Sequence, residues 1–199
     1  MSKNINVVGV LIAFLLVACS VGSAQKVEFI SYTTAIGASF SFDVPYKYDQ
    51  KNERIASDKI VGENGKPYDY VAGSLQPMKN NFFSSYVEIS YFHEGRPPAD
   101  LERGAFLVSF KRIGGILPNP EPKKGVVCGY AGEIWEGTYI SAEGIDGPAY
   151  VPTTLALLGV DETRTLAILA EPPVFEEINK SLVIELEDNL YLPLFVLQK

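Results

Sequence analysis

Apolar residues recur along this chain at two different spacings, and each change of spacing marks the border of an element. Before either begins, residues 7–18 form an apolar run without charge, preceded only by Lys3 and the amino terminus. As a helix this run reaches about 18 Å, short of a hydrocarbon core of about 30 Å, so it predicts an export leader and not a membrane span. Alternation of period two then predicts strands at 27–33 and 38–44 around the turn-like Ala35-Ile36-Gly37, with Phe40, Phe42 and Val44 on one face. Residues 45–81 are polar, rich in Lys, Asn, Asp and Gly, and offer only short strand candidates at 59–62 and 68–75. Residues 85–92 alternate cleanly, with Val87, Ile89 and Tyr91 on one side and Tyr86, Glu88 and Ser90 on the other, as in a strand with one face in water.

The spacing becomes helical at 99–113. Asp100 and Glu102 fall in the first turn and Lys111 and Arg112 in the last, which complements the helix dipole. Leu101, Ala105 and Val108 line one side, and Phe106, Phe110 and Ile113 extend the apolar arc, so this helix packs on something broad, a sheet. Gly114-Gly115 stops it, and the proline-rich 118–124 segment is a stiff loop. Strands are predicted at 126–131, 133–141, 150–158 and 164–170, with a tight hairpin at Gly132 and short connections that favour antiparallel neighbours. Pro172-Pro173 opens a second helix, in which Phe175, Ile178, Leu182 and Leu186 recur at helical spacing; Glu185, Glu187 and Asp188 then crowd its negative end. Residues 191–196 form an apolar tail.

The leader ends in Leu16-Val17-Ala18-Cys19. This resembles the bacterial lipobox: an aliphatic, a variable and a small residue before the cysteine that receives diacylglycerol. The resemblance implies a signal peptide at 1–18, lipidation of Cys19, a short tether over 19–26 and one domain over 27–199. Ser20 follows the cysteine where sorting rules of this kind place an aspartate for retention, which implies the outer membrane, facing the periplasm, if the host is Gram-negative. Several acyl chains, at about 0.8 kcal/mol per buried CH2, hold a protein where one chain exchanges. The rival reading is cleavage after Ala24 in Gly22-Ser23-Ala24, which releases a soluble periplasmic protein.

Composition narrows the function classes. The net charge is −7, and the leader removes one of 17 basic residues and none of 24 acidic ones, so the mature surface repels nucleic acid and anionic headgroups. With two cysteines, one of them Cys19, there is no disulfide framework, and with His93 as the single histidine there is no His-rich metal site. No P-loop, no G-x-G-x-x-G and no paired C-x-x-C occurs, so neither cofactor nor metal is expected.

Several residues are candidates for chemistry. His93, with Glu94 and Arg96, stands where a strand ends, but no nucleophile motif accompanies it, and a surface histidine is the plainer reading. Cys128, between Val127 and Gly129 in a predicted strand, has no cationic neighbour and reads as a small hydrophobe. Trp135 and Tyr139 share a strand face and read most plainly as core, and with Tyr130 they form a binding platform only if no helix covers that face. Glu143 and Asp146, near Glu133 and Glu136, offer oxygen ligands without a calcium-loop pattern, so they read as a solvated rim.

The order of elements, with Gly37-Ala38-Ser39-Phe40-Ser41-Phe42-Asp43-Val44-Pro45 and the 164–186 strand-to-helix close, resembles the PsbP/Mog1-like family over residues 27–190. That resemblance implies an α+β fold, an antiparallel sheet of about six strands flanked by two main helices in an α/β/α sandwich. It also implies a binding or assembly module more than an enzyme. The sequence thus reads as an envelope lipoprotein, held to the membrane through its lipid and engaging a protein partner; the alternative is a hydrolase or ligand-binding periplasmic protein using His93 or the Glu143/Asp146 loop. Intact-mass measurement of the mature protein should give a chain that starts at Cys19 and carries acyl groups; an unmodified chain starting at Gln25 would refute the anchor.

Overall fold

The structure, a computed structural model, describes residues 24–29, 33–80, 82–83, 85–141 and 149–187. The leader, Cys19, Glu143, Asp146 and the 191–196 tail lie outside the described residues. In chain order the elements are β1 (Gln25–Phe29), α1 (Thr33–Ile36), β2 (Ala38–Val44), β3 (Gln50–Val61), β4 (Pro67–Lys79), β5 (Phe82–Phe83), β6 (Ser85–Phe92) and α2 (Ala99–Arg112). There follow β7 (Gly115–Ile116), β8 (Lys123–Val127), β9 (Tyr130–Ser141), β10 (Ala149–Gly159), β11 (Arg164–Ala170), α3 (Pro172–Ser181) and β12 (Val183–Leu186).

Strands dominate, and this corrects the expected six-stranded α/β/α sandwich. A 9-stranded antiparallel sheet runs in the order β3-β4-β6-β11-β10-β9-β7, with β5 on β4 and β8 on β9; a separate 3-stranded sheet runs β1-β2-β12. Much of the error lies in residues 45–81. Their polar sequence builds a long hairpin, β3 on β4, paired from Gln50↔Met78 to Val61↔Pro67. Strand β3 is an edge whose residues are exposed or half-buried on both sides, so no dry face imprints a period of two on its sequence. Its charged residues Lys51, Glu53, Arg54, Asp58 and Lys59 are the kind that protect an edge from adding further strands. Its neighbour β4 buries Ala72, Gly73, Ser74 and Leu75 in succession, because both faces of the sheet are covered there.

The second difference is at the C-terminus. The helix expected to run through Leu186 stops at Ser181, and Val183–Leu186 instead pairs with β2 as the third strand of the small sheet. This removes the crowding of acidic groups at a helix end. Glu185 lies on a strand, while the last turn of α3 carries Lys180, a cation beside the exposed carbonyls. The third concerns the β8–β9 hairpin, whose turn is Cys128-Gly129 and not Gly132. Both turn residues have positive φ, 53° and 86°, the geometry of a two-residue hairpin turn whose twist matches its strands.

The main core lies between the two sheets. From the small sheet and α1 come Val27, Phe29, Ile36, Phe40 and Phe42; from the large sheet come Leu75, Val87, Ile89, Leu166 and Ile168; α3 adds Val174 and Ile178. The layers meet so closely at Gly73 that a Cβ there would lie 2.7 Å from Ile36 Cδ1. Buried Arg164 ties the layers together through polar bonds. Its Nε donates to the Ile36 carbonyl at 3.0 Å, its guanidinium pairs with Asp161, and it lies 5.4 Å from the centre of the Tyr91 ring.

The opposite face of the large sheet is covered by α2 and the segment that follows it, over a smaller cluster of Phe110, Trp135, Leu155 and Leu169 against which Leu117 packs. A strand such as β11, with every residue from Arg164 to Ala170 buried, is dry on both sides. Whatever polar residues its neighbours place on the α2 side are therefore enclosed, which fixes where the candidate site is.

Candidate functional site

The sheet registers set the floor of the site. Arg54 stands opposite Ser74, Ser74 opposite Glu88, Glu88 opposite Ala167 and Ala167 opposite Leu157, so these residues form one row across neighbouring strands. In the next row Ala72 faces Ser90 and Ser90 faces Thr165. Alternation along β6 places Tyr86, Glu88, Ser90 and Phe92 on this side, the face that its sequence marks as polar. Here that face is roofed by a helix. Between α2 and the sheet is a cavity of about 480 Å³, with Tyr70, Tyr86, Phe92 and Phe106 among its aromatic walls and Glu88, Ser90 and Thr165 among its polar groups. The hairpin of β3 and β4 approaches the roof at one end, where a side chain at Gly62 would meet Leu101 of α2 at 3.5 Å.

Two carboxyl groups reach this space and differ in their partners. Glu102, 4% exposed, receives Arg96 Nη2 at 2.6 Å and Arg96 Nε at 3.3 Å, and it accepts the Thr165 hydroxyl. Its charge is therefore satisfied within the fold. Glu88 is half-buried and accepts hydrogen bonds from the Tyr86 hydroxyl and, at 3.4 Å, from the Ser90 hydroxyl. Both of these donors are neutral. Among the described residues no lysine or arginine forms an ion pair with it. Burial pushes the Glu88 carboxyl above the usual carboxylate range, against the opposing pull of the two hydroxyls. Burial likewise raises the Tyr86 phenol and, with the nearby Glu88 and Asp58 carboxyls, pushes Tyr70 up to about 12.

The candidates from sequence are scattered. Trp135 is 2% exposed beneath α2; its indole donates to the Pro120 carbonyl at 2.9 Å and its ring lies 6.0 Å from that of Phe106. Tyr139, on the same face of β9, lines the cavity. Tyr130 packs instead against the core on the other side of the sheet. His93 is exposed, its ring set edge-on to Tyr91 at 5.2 Å, away from the cavity. Cys128 occupies its hairpin turn with its amide bound to Asn179 Oδ1 at 2.8 Å, and burial pushes its thiol up to about 11. Glu133 is bound to Arg103 of α2 at 2.5 Å, and Glu136 to Lys123 at 2.6 Å. Among the described residues no group of three or more His, Cys, Asp or Glu converges to hold a metal ion, and no helix is long and apolar enough to cross a membrane.

Comparison with family models, curated proteins and solved structures finds no match for this chain.

Glu88, Glu102, Tyr70, Tyr86 and Arg54 were not singled out by the sequence pattern. For Glu102 a signal existed: it stands four and eight residues before Phe106 and Phe110, so it shares their helix face. Glu88 offers a test through pH. Folding holds its proton more tightly than the unfolded chain does, so its contribution to stability is fully present below the ordinary value of 4.5 and is lost as pH rises through the higher folded value. Glu88→Gln keeps the shape and abolishes the titration. Urea unfolding from about pH 4 to about pH 8 should show the variant gaining on the native protein as pH rises; parallel curves would mean that Glu88 titrates normally.

Proposed function

We propose that this protein is an exported lipoprotein that works as a binding module, its domain held beside the envelope membrane by Cys19 and its ligand seated between α2 and the large sheet. The observation that carries the binding role is the cavity of about 480 Å³ with an aromatic wall and a finished polar floor. That volume falls within the range of small-molecule sites, about 300–1,000 Å³, and mostly apolar lining with a few placed polar groups is how such sites gain both affinity and orientation. The anchor rests on the leader and on Leu16-Val17-Ala18-Cys19. With an acyl anchor the domain is confined to the membrane surface, where a ligand released from or delivered to the envelope is captured.

Binding is favoured over catalysis because the reactive groups are either spent or elsewhere. Glu102 is engaged by Arg96 and Thr165, the Cys128 thiol is pushed upward on a different part of the fold, and exposed His93 stays outside the cavity. A protein partner is the second reading. Exposed Val108, Ile113 and Ile116, on α2 and the segment that follows it, favour that reading.

Ala167→Phe separates the two. Ala167 lines the cavity floor, 7% exposed, and a phenyl ring there fills space that a ligand would use. Native mass spectrometry of protein extracted from its own envelope should show a non-covalent small-molecule adduct on the native chain and none on a folded Ala167→Phe variant. An adduct that persists equally in the variant places the ligand elsewhere and overturns the reading.

A further inference from the structure

We infer that the ligand of this cavity is a small organic cation, an ammonium on an apolar body, received by the Glu88 carboxylate and the surrounding aromatic rings. The inference rests on the binding role proposed above and adds the ligand's charge. Its basis is an imbalance in an otherwise completed site. Glu102 has its guanidinium from Arg96, and Glu133, at the other side of α2, has its own from Arg103. Glu88, half-buried under the same roof, is met among the described residues only by the hydroxyls of Tyr86 and Ser90. A carboxylate so placed is costly unless a cation joins it, and the described residues supply none in ion-pair contact with it.

The walls suit such a guest. Tyr70, Tyr86, Phe92 and Phe106 line the space around this carboxyl, and ring faces attract a cation with an energy that grows as water is excluded. Beyond them Leu157 and Leu169 provide an apolar bed for the body of the ligand. Charged and titratable groups facing Glu88 come from each neighbouring element. Tyr70 lies on β4, Tyr86 on β6 itself, Glu102 on the roof with its Arg96 in the loop before it, Arg54 on the edge strand β3 and Tyr139 on β9. Arg54 is the one that argues for an anion, but its side chain is exposed at the rim, beyond Ser74 in the row, and it makes no ion pair with Glu88. It therefore selects against long cations that protrude from the cavity, without neutralising the floor.

The cation pairs with the ionised carboxylate, so where Glu88 holds its proton, capture releases it, and affinity climbs as pH rises through the carboxyl's titration. The test is calorimetric titration of the full mature chain in detergent with three probes of one size: hexylammonium, hexan-1-ol and hexanoate. Hexylammonium should bind best, more tightly at about pH 8 than at about pH 4, and Glu88→Gln should weaken it by about thirtyfold or more, while hexan-1-ol binding changes little. Arg54→Gln, which takes a positive charge from the rim of the cavity, should strengthen hexylammonium binding. Preferential binding of hexanoate, abolished by Arg54→Gln, would overturn the inference and leave the binding role standing. If the cavity takes none of the three probes, both the inference and the binding role fall.

Discussion

Glu102 lies beneath α2 with 4% of its side chain exposed, its carboxylate held by the guanidinium of Arg96 and by the hydroxyl of Thr165. The three partners belong to different parts of the chain: the loop that leaves β6, the first turn of α2, and the central strand β11. A carboxylate left alone in such a place is strongly destabilising, and removing one partner of a buried pair costs about 3–5 kcal/mol. The helix is therefore docked in one position over the sheet, not merely attracted to it. Arg103 reinforces this from the outer side of the helix by reaching Glu133 on β9. What the roof encloses depends on that docking, because Phe110 and Trp135 fill only one end of the interface and leave a cavity over the other.

Covering a sheet on both faces has a chemical consequence. The side packed against the small sheet and α3 is apolar, and the dense packing of Phe40, Phe42, Ile89 and Ile168 makes it the stabilising half of the molecule. The α2 side carries the polar members of the same strands. Ser90 and Thr165 are buried there, and Glu88 half-buried, because of their neighbours' burial, and each must be bonded or become a functional liability. Among the described residues every buried side-chain polar atom has a hydrogen-bond partner. The floor is thus satisfied in hydrogen bonds and incomplete in charge, at Glu88.

Much of the strand pattern was legible in the residues. Ser85–Phe92 and Arg164–Ala170 coincide with the predicted segments, and Phe40, Phe42 and Val44 share a buried face. What was hidden had a physical reason in each case. The edge strand β3 has no dry side, so its alternation carries no hydrophobic signal. Val183–Leu186 kept a helical spacing with Phe175 and Ile178 by coincidence, but pairing with β2 satisfies its backbone as a strand. Glu88 looked like a solvent-facing residue because alternation reports that two faces differ, not what lies over the polar one. Nothing in β6 itself reveals that α2 folds back across it. Glu102 was assigned to the helix dipole together with Asp100, yet Asp100 alone faces solvent, its side chain 91% exposed, while Glu102, two positions on and about 200° round the helix, is in the interior.

The claim that most of this depends on is that the Arg96–Glu102–Thr165 contact holds α2 in place over the cavity. Amide hydrogen exchange on a Glu102→Gln variant tests it element by element. The amides of α2 should lose protection while those of β6 and β11, anchored by the opposite core, keep theirs. Unchanged protection in α2, or an equal loss throughout the molecule, would contradict it.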